Sequence, residues 1–430
     1  SSAFIKEFRF DQFWALTTGW KISEENFLKD NETISFLKLR ASYGTLGNEV
    51  GNNLYRSLLN GEGTYVFDGA LVDGTAQGGL PNPLAQWETA EKLDIGLDIN
   101  LFDDKVTIVA DYFEESRKDL LIQSFPVSGI LGTSAPGSGK PTVNAGTSVN
   151  TGGELAISYA AIKTEDASLN FAYNVTYVKN EVTDVTGGAF IEGGGFAIGN
   201  LPPSRMEVGQ PIGYFYGLQT DGLFQNQAAI DAHPSQAGLG AAVTSPGDIR
   251  YKDVNGDGII DINDRTNIGK PQADFYMGFN FSGTYKNWDF SAYLYSELGK
   301  EIVRNYERFL PNVNKPSYYL GRWTGEGTSN SIPRLTNDAT NNKLFSDFFV
   351  EDGSFLRLQN VQIGYNINAD TLERIGVSKL RVYTSVNNLF TLTDYSGYDP
   401  TVNGGAIGAG IDYGTYPSAR QFILGLNVEF

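Results

Sequence analysis

The sequence predicts an all-β protein, an antiparallel transmembrane β-barrel with long extracellular loops, on three observations. Apolar and polar residues alternate with period two in segments mostly about 9–12 residues long, the length of a tilted membrane-crossing strand. The connections between them alternate strictly between long (about 25 to 90 residues) and short, so every long one falls at the same end of the sheet. One face carries apolar residues, with aromatics near strand ends such as Phe102, Tyr112, Tyr285 and Trp288; the other is Asp, Asn, Ser, Thr, Gly and Lys. An aromatic girdle on a lipid face and a watery lumen require that division. Because alternation alone describes any half-buried sheet, the loop asymmetry carries the membrane reading.

Taken in order, residues 10–20 read as an extended aromatic segment, and residues 37–43 set Leu37, Leu39, Ala41 and Tyr43 against Lys38, Arg40 and Ser42. A Gly/Asn-rich stretch to about residue 86 precedes Leu93, Ile95, Leu97, Ile99 and Leu101, and a turn at 102–105 returns the chain through Val106, Ile108, Ala110 and Tyr112. A Pro/Gly-rich stretch, 119–150, leads to Leu155, Ile157, Tyr159 and Ala161, then to Leu169, Phe171, Tyr173, Val175 and Tyr177. Residues 180–270 read as long and mostly irregular. Met277, Phe279 and Phe281 pair across a turn near Lys286 and Asn287 with Phe290, Ala292 and Leu294. A loop at 297–347 precedes strands at 355–367 and 380–390, and a last loop, 391–416, precedes the strand 421–430, where Phe422, Leu424, Leu426, Val428 and Phe430 share one face. The count is about eleven or twelve strands.

Composition narrows the function. A net charge of −18 makes nucleic acid a poor partner, because phosphate binding needs clustered Lys and Arg. Without cysteine there is no disulfide, thiolate zinc site or cysteine nucleophile, and with one histidine, His233, no multi-histidine zinc site. No apolar run is long enough for a transmembrane helix, which leaves strands as the means of crossing a membrane. The chain opens at Ser1 with no leader and reads as a mature piece of a longer polypeptide.

Residues 253–264 carry the most specific motif. Asp253, Asn255, Asp257, Asp261 and Asp264 occupy positions 1, 3, 5, 9 and 12, with Gly258 at position 6 and the Ile259 carbonyl at position 7, which is the ligand spacing of an EF-hand calcium loop. Its flanks lack helical periodicity, so the expectation is a structural Ca2+ clamp rather than a sensor; the alternative is a solvated Asn/Asp/Gly turn with no ion. A second candidate lies at 304–323, where Tyr306, Phe309, Tyr318, Tyr319 and Trp323 sit among Arg304, Arg308, Lys315 and Arg322. Aromatic plates beside hydrogen-bonding groups suit sugar rings or peptide segments, and equally suit packing that stiffens a loop. The run Gly137-Ser-Gly-Lys-Pro141 fails as a phosphate loop, since position 134 is Ser and Pro141 stands where Ser or Thr is required. Neighbouring carboxylates such as Glu114 and Glu115 point to opposite faces of a strand and read as surface charge rather than a glycosidase pair.

Several runs together resemble the SusC/RagA-like group of TonB-dependent outer-membrane transporters of Bacteroidetes: Phe36-Leu-Lys-Leu-Arg-Ala-Ser-Tyr-Gly-Thr-Leu-Gly-Asn48, Gly209-Gln-Pro-Ile-Gly-Tyr-Phe-Tyr-Gly217, Gly247-Asp-Ile-Arg-Tyr-Lys-Asp-Val-Asn-Gly-Asp-Gly258, Phe355-Leu-Arg-Leu-Gln-Asn360, Val386-Asn-Asn-Leu-Phe390 and Tyr416-Pro-Ser-Ala-Arg420. The resemblance implies a barrel of about 22 strands, an amino-terminal plug with a TonB box, and a SusD-like lipoprotein lid. Residues 1–430 would supply the carboxy-terminal part of the barrel, with plug and TonB box outside the chain. Gly425, Val428 and terminal Phe430 look like the family's assembly signal, although Ile423 stands where a polar residue is usual. The function so implied is import of a large nutrient, oligosaccharide or peptide, without catalysis. The rivals are a secreted calcium-stabilised β-sandwich or solenoid that binds or cleaves glycans, and a barrel used for adhesion.

Overall fold

The computed structural model describes every residue except 50, 52, 134–137, 198–199, 242, 308–312 and 368–375. Eleven strands form one antiparallel sheet in chain order. They are β1 (Ala15–Lys21), β2 (Ile34–Asn48), β3 (Glu88–Leu101), β4 (Val106–Lys118), β5 (Thr147–Lys163), β6 (Ala167–Asp184), β7 (Phe275–Tyr285), β8 (Trp288–Leu298), β9 (Phe355–Ile367), β10 (Lys379–Thr393) and β11 (Gln421–Glu429). Residues 22–33, 102–105, 164–166, 286–287 and 368–378 are the connections at one end; residues 49–87, 119–146, 185–274, 299–354 and 394–420 are those at the other. The predicted alternation of short and long connections therefore holds throughout. Lys286, in the two-residue turn between β7 and β8, takes φ 51°, the left-handed conformation that lets so tight a hairpin follow the strand twist.

Register turns the sequence alternation into two surfaces. Leu39 faces Leu97, which faces Ala110, then Leu155, Val175 and Met277 across β2 to β7. One position along, Arg40 faces Gly96, then Asp111, Glu154, Thr176 and Tyr276. An apolar row beside a polar row fixes the register, because a one-residue slip of any strand would carry its charges to the apolar face. The apolar face is open: Ile95 is 44% exposed and Leu424 80%. Water would not leave such a surface bare, whereas lipid covers it at no cost.

Aromatics mark both margins of that face. At the short-turn end Tyr285 pairs with Trp288, whose ring lies 4.8 Å from Tyr365. Toward the loop end Trp14 lies 5.5 Å from Tyr43 and Tyr177 5.2 Å from Phe275. From Phe275 to Tyr285 along β7, at about 3.4 Å per residue and a tilt of about 40°, the membrane height is roughly 26 Å, the thickness of an outer-membrane apolar band. The longest strands, β5 (17 residues) and β6 (18 residues), exceed the predicted lengths and run past that band toward the loops.

Two expectations are corrected in the loops. Residues 180–270 are not mostly irregular: they contain a four-stranded sheet of Phe190–Gly193, Ser204–Glu207, Tyr214–Gly217 and Thr266–Gly269, and a pair of Thr220–Leu223 with Ile249–Tyr251. Strands this short offer at most two turns of the alternation, too few for a period to be visible in sequence. Second, the aromatic segment at 10–20 is strand only from Ala15, and the residues before it anchor the loops: Phe4 is fully buried with Ala85 and Leu121, against Trp87.

Candidate functional site

Most of the fully buried side chains among the described residues belong to the loops. Phe196, Phe215, Val303, Phe345, Phe349 and Ile411 form one cluster drawn from loops 185–274, 299–354 and 394–420. Leu218, Leu223, Ile249, Tyr251 and Ile260 form another within the first of these loops, with Trp323 packed on it. Backbone pairing joins them too: Glu301–Arg304 lies between Val350–Asp352 and Ile411–Asp412 in one small sheet of the second and third loops, and Leu218 of the first bridges Ser346 of the second. Buried ion pairs add to it. Arg357 and Asp399, each 6% exposed, meet at 2.6 Å, and Arg334 reaches Asp248 at 2.7 Å. The loops are thus one packed body over the open end of the sheet.

Loop 253–264 sits on that body. Asp253 accepts the amides of Gly256 (2.7 Å) and Gly258 (2.8 Å), Asn255 that of Asp257, Asp257 that of Ile259, and Asp261 that of Asn263. Asp264 is fully buried; one carboxylate oxygen accepts the amides of Val254 and Asn255, the other that of Asp261 at 2.9 Å. Asp261 and Asp264 close a capping box on the turn Ile262–Asp264. The oxygens are of the kind a hard cation takes, yet among the described residues no three acidic or imidazole groups come together as a metal cage. The position-12 carboxylate accepts three amides, so hydrogen bonds within the loop itself brace its turn.

The aromatic candidates divide. Phe309 and Arg308 lie outside the described residues. Tyr318 stacks on Tyr319 at 4.5 Å and donates its hydroxyl to Glu307 at 2.6 Å; Tyr319 donates to the other Glu307 oxygen at 3.3 Å. Arg304 pairs with Glu307 and with Glu351, both at 2.6 Å, and covers the Tyr318 ring at 4.6 Å. Burial, with the Glu307 carboxylate beside it, pushes the Tyr319 hydroxyl up to about 12, so it stays a neutral donor. Trp323 turns toward the loop core and donates its indole N–H to Gln225 at 3.3 Å. Arg322 donates to the Tyr319 carbonyl at 3.2 Å, and Tyr306 meets the Ser396 hydroxyl at 3.3 Å. Tyr318, Tyr319 and Trp323 are thus each tied by packing and hydrogen bonds into the loop body. His233 stacks edge-on against Phe224 at 5.1 Å.

Sequence reading missed the cleft under the loops. One cavity of about 570 Å³ is lined by polar-face residues of β4 to β7, among them Phe113, Glu115, Arg117, Asn150, Asn180 and Tyr276, and is roofed by Gly209, Pro211 and Ala406. A second, of about 660 Å³, takes Glu88, Leu121, Ile122 and Lys140 on one side and Glu192 and residues 405–408 on the other. Arg117, Leu120 and Ala406 line both. The wall carries a charged trio: Lys92 holds Glu115 at 2.8 Å, and Arg117 binds the same carboxylate. Farther down, Arg40 gathers Asp94, Asp98 and Asp111 within 3.2 Å, where Gly96 leaves room for the guanidinium. The signal in sequence was the polar face itself, but no spacing told which polar residues share a cavity.

At the other edge, β11 pairs with β10 alone among the described residues. Gly425 lies under the Tyr383 ring, Val428 is half exposed, and Phe430 is 91% exposed. β1 likewise has one strand partner, β2, among the described residues.

Known proteins agree with this architecture. The family described as "TonB dependent receptor-like, beta-barrel" matches residues 6–295. TonB-dependent receptor P3 of Formosa agariphila is 32% identical over 446 residues, covering 100% of this chain and 43% of the relative. TonB-dependent receptor SusC of Bacteroides thetaiotaomicron is 30% identical, covering 100% of this chain and 41% of the relative. The fold is similar to the solved structure of the RagAB peptide transporter, with TM-score 0.77 and 22% identity over 100% of this chain and 44% of that one. The chain thus spans less than half the length of each relative. With the sheet, its two faces and the sequence match in agreement, the chain belongs to the TonB-dependent receptor-like β-barrel family.

Proposed function

We propose that this chain is the carboxy-terminal part of an outer-membrane importer that takes up a large nutrient, oligosaccharide or peptide, without chemical change. The paired apolar and polar rows across β2 to β7 carry the reading: one face suits lipid, and the other lines a polar cleft beneath a packed loop body. Substrate enters from the loop side and is held between the wall and the loops. A plug and TonB, outside this chain, would supply the energy, and a SusD-like lipoprotein would close over the loops, as the likeness to SusC and RagAB suggests. The open edges of β1 and β11 would pair with the remaining strands of the barrel.

Loop 253–264 is proposed as a support for this binding face, with calcium as a secondary ligand that would have to draw Asp253, Asp257 and Asp261 to one point. Of the aromatics, Tyr306 and the Tyr318/Tyr319 pair are proposed to shape the rim rather than to stack on substrate. Uptake of fluorescent oligosaccharide and peptide pools by cells carrying the whole protein tests the transport reading. Uptake should require both the protein and TonB; surface binding that persists unchanged without TonB, with no internal label, would favour adhesion.

A further inference from the structure

The partition between the two cavities is a short tongue. Residues 403–410 read Asn-Gly-Gly-Ala-Ile-Gly-Ala-Gly, and they leave loop 394–420 to enter the cleft. Gly405 to Gly408 line the second cavity and Ala406 lines the first as well, so that with Arg117 and Leu120 it forms the wall both cavities share. The tip, Ile407, is 7% exposed and sits in a socket of Leu120, Ile122, Ala145, Val182, Ile191 and Met206, residues of other loops and of the end of β6. Two glycines make the fit. A Cβ at Gly193 would fall 2.5 Å from an Ile407 methyl, and one at Gly213 would fall 2.6 Å from the Ala406 carbonyl.

What holds the tongue differs from what holds the rest of the loop body. Its root is fixed by the parallel pairing of Ile411 and Asp412 with Val303 and Arg304, and by Tyr395 donating to Asp412 at 2.6 Å. Between residues 403 and 408 the backbone hydrogen bonding to described residues is a local turn, Gly408 N–H to the Gly405 carbonyl at 2.9 Å, and the main remaining hold is one apolar side chain in its socket. A glycine-rich segment on a fixed root, seated by one isoleucine, is suited to open locally while its surroundings stay folded.

We propose that residues 403–410 are a removable partition in the cleft, and that the socket vacated by Ile407 is an apolar subsite for an aliphatic group of the transported molecule. Lifting the tongue would join the two cavities into one chamber, with Arg117 and Glu115 on its polar wall and the socket on its apolar side. This rests on the transport reading, but its test does not. This chain has no cysteine, so once any cysteine elsewhere in the whole protein is replaced by serine, single introduced thiols report unambiguously.

In the whole protein, in outer-membrane vesicles, Ala145→Cys reports the socket with Ile407 intact, Ile407→Cys reports the tip, and Val303→Cys reports the fixed core of the adjoining loops. With a small charged methanethiosulfonate, the socket thiol and the tip thiol should both react at least about tenfold faster than the core thiol, as local opening requires. Both reacting as slowly as the core thiol would make the tongue fixed packing and overturn the proposal. A fast socket thiol with a slow tip thiol would mean that loop 119–146 moves instead. A fast tip thiol with a slow socket thiol would mean that the Ile407→Cys substitution unseated its own tip; either result also overturns it. These rates need no identified nutrient, so a failed uptake assay leaves them standing.

Discussion

At the scale of single residues, two carboxylates organise the loop body by accepting hydrogen bonds. Asp264 takes three backbone amides while fully buried. Replacing it with Ala removes three partly buried hydrogen bonds, at roughly 1 kcal/mol each. Asp264→Ala should therefore loosen residues 185–274 to limited proteolysis equally with calcium and with chelator; loosening confined to calcium-containing buffer would support the ion-clamp expectation. Asp399 is the second. Burial alone would raise its pKa, but the Thr401 hydroxyl, the Ser418 and Thr401 amides and the Arg357 guanidinium outweigh burial and hold it well below the usual carboxylate range. A depressed folded-state pKa gives stability that is present above the unfolded value, about 4, and is lost as pH falls through the folded value. The 394–420 loop should hold at pH 5 and loosen progressively below about pH 4. Arg357→Ala, which leaves Asp399 buried without its cation, should cost about 3–5 kcal/mol at neutral pH. Denaturant unfolding followed by proteolysis of this loop measures both.

At the scale of elements, the strands were legible and the loops were not. Leu93 to Leu101 against Asp94 to Asn100 marked the body of β3 and its end, because a strand with lipid on one side and water on the other writes its environment into every second position. The short loop strands, such as Tyr214–Gly217, are buried on both faces and show no period, so residues 180–270 read as irregular. Bulges hid too: β9 shifts register between Leu358 and Asn360, which lets Arg357 and Gln362 both face inward. The face assignment makes a prediction. Ile363→Arg, on the lipid side, should cost about 2–4 kcal/mol in lipid vesicles, whereas Gln362→Arg beside it should be nearly neutral. Urea unfolding of the two variants decides, and equal costs would remove the distinction between faces. Deleting Phe430 should lower the amount assembled in the outer membrane, read by protease protection and heat-modified gel mobility.

At the scale of the whole molecule, an open sheet with a lipid face, a polar face and a loop body over one end has the form of one segment of a larger wall. Among the described residues β1 and β11 each pair on one side only, which under the proposed reading leaves both edges for further strands. Of the candidate site, the sequence showed the ion-type spacing and the aromatic cluster, but distance in the chain concealed what each touches. Trp323 meets Gln225 only because two long loops pack together, and Arg304 meets Glu351 only because one long loop folds back on itself. The cleft, built from the ends of several strands and from three loops, had no local signature. The central claim is that β3 stands with lipid on one face and water on the other, and single spin labels at positions 93 to 99 of the whole protein in lipid test it most directly. Labels at Leu93, Ile95, Leu97 and Ile99 should collide with dissolved oxygen, and labels at Asp94, Gly96 and Asp98 with a water-soluble nickel complex, in strict alternation. Nickel access at every position, or no alternation at all, would contradict it.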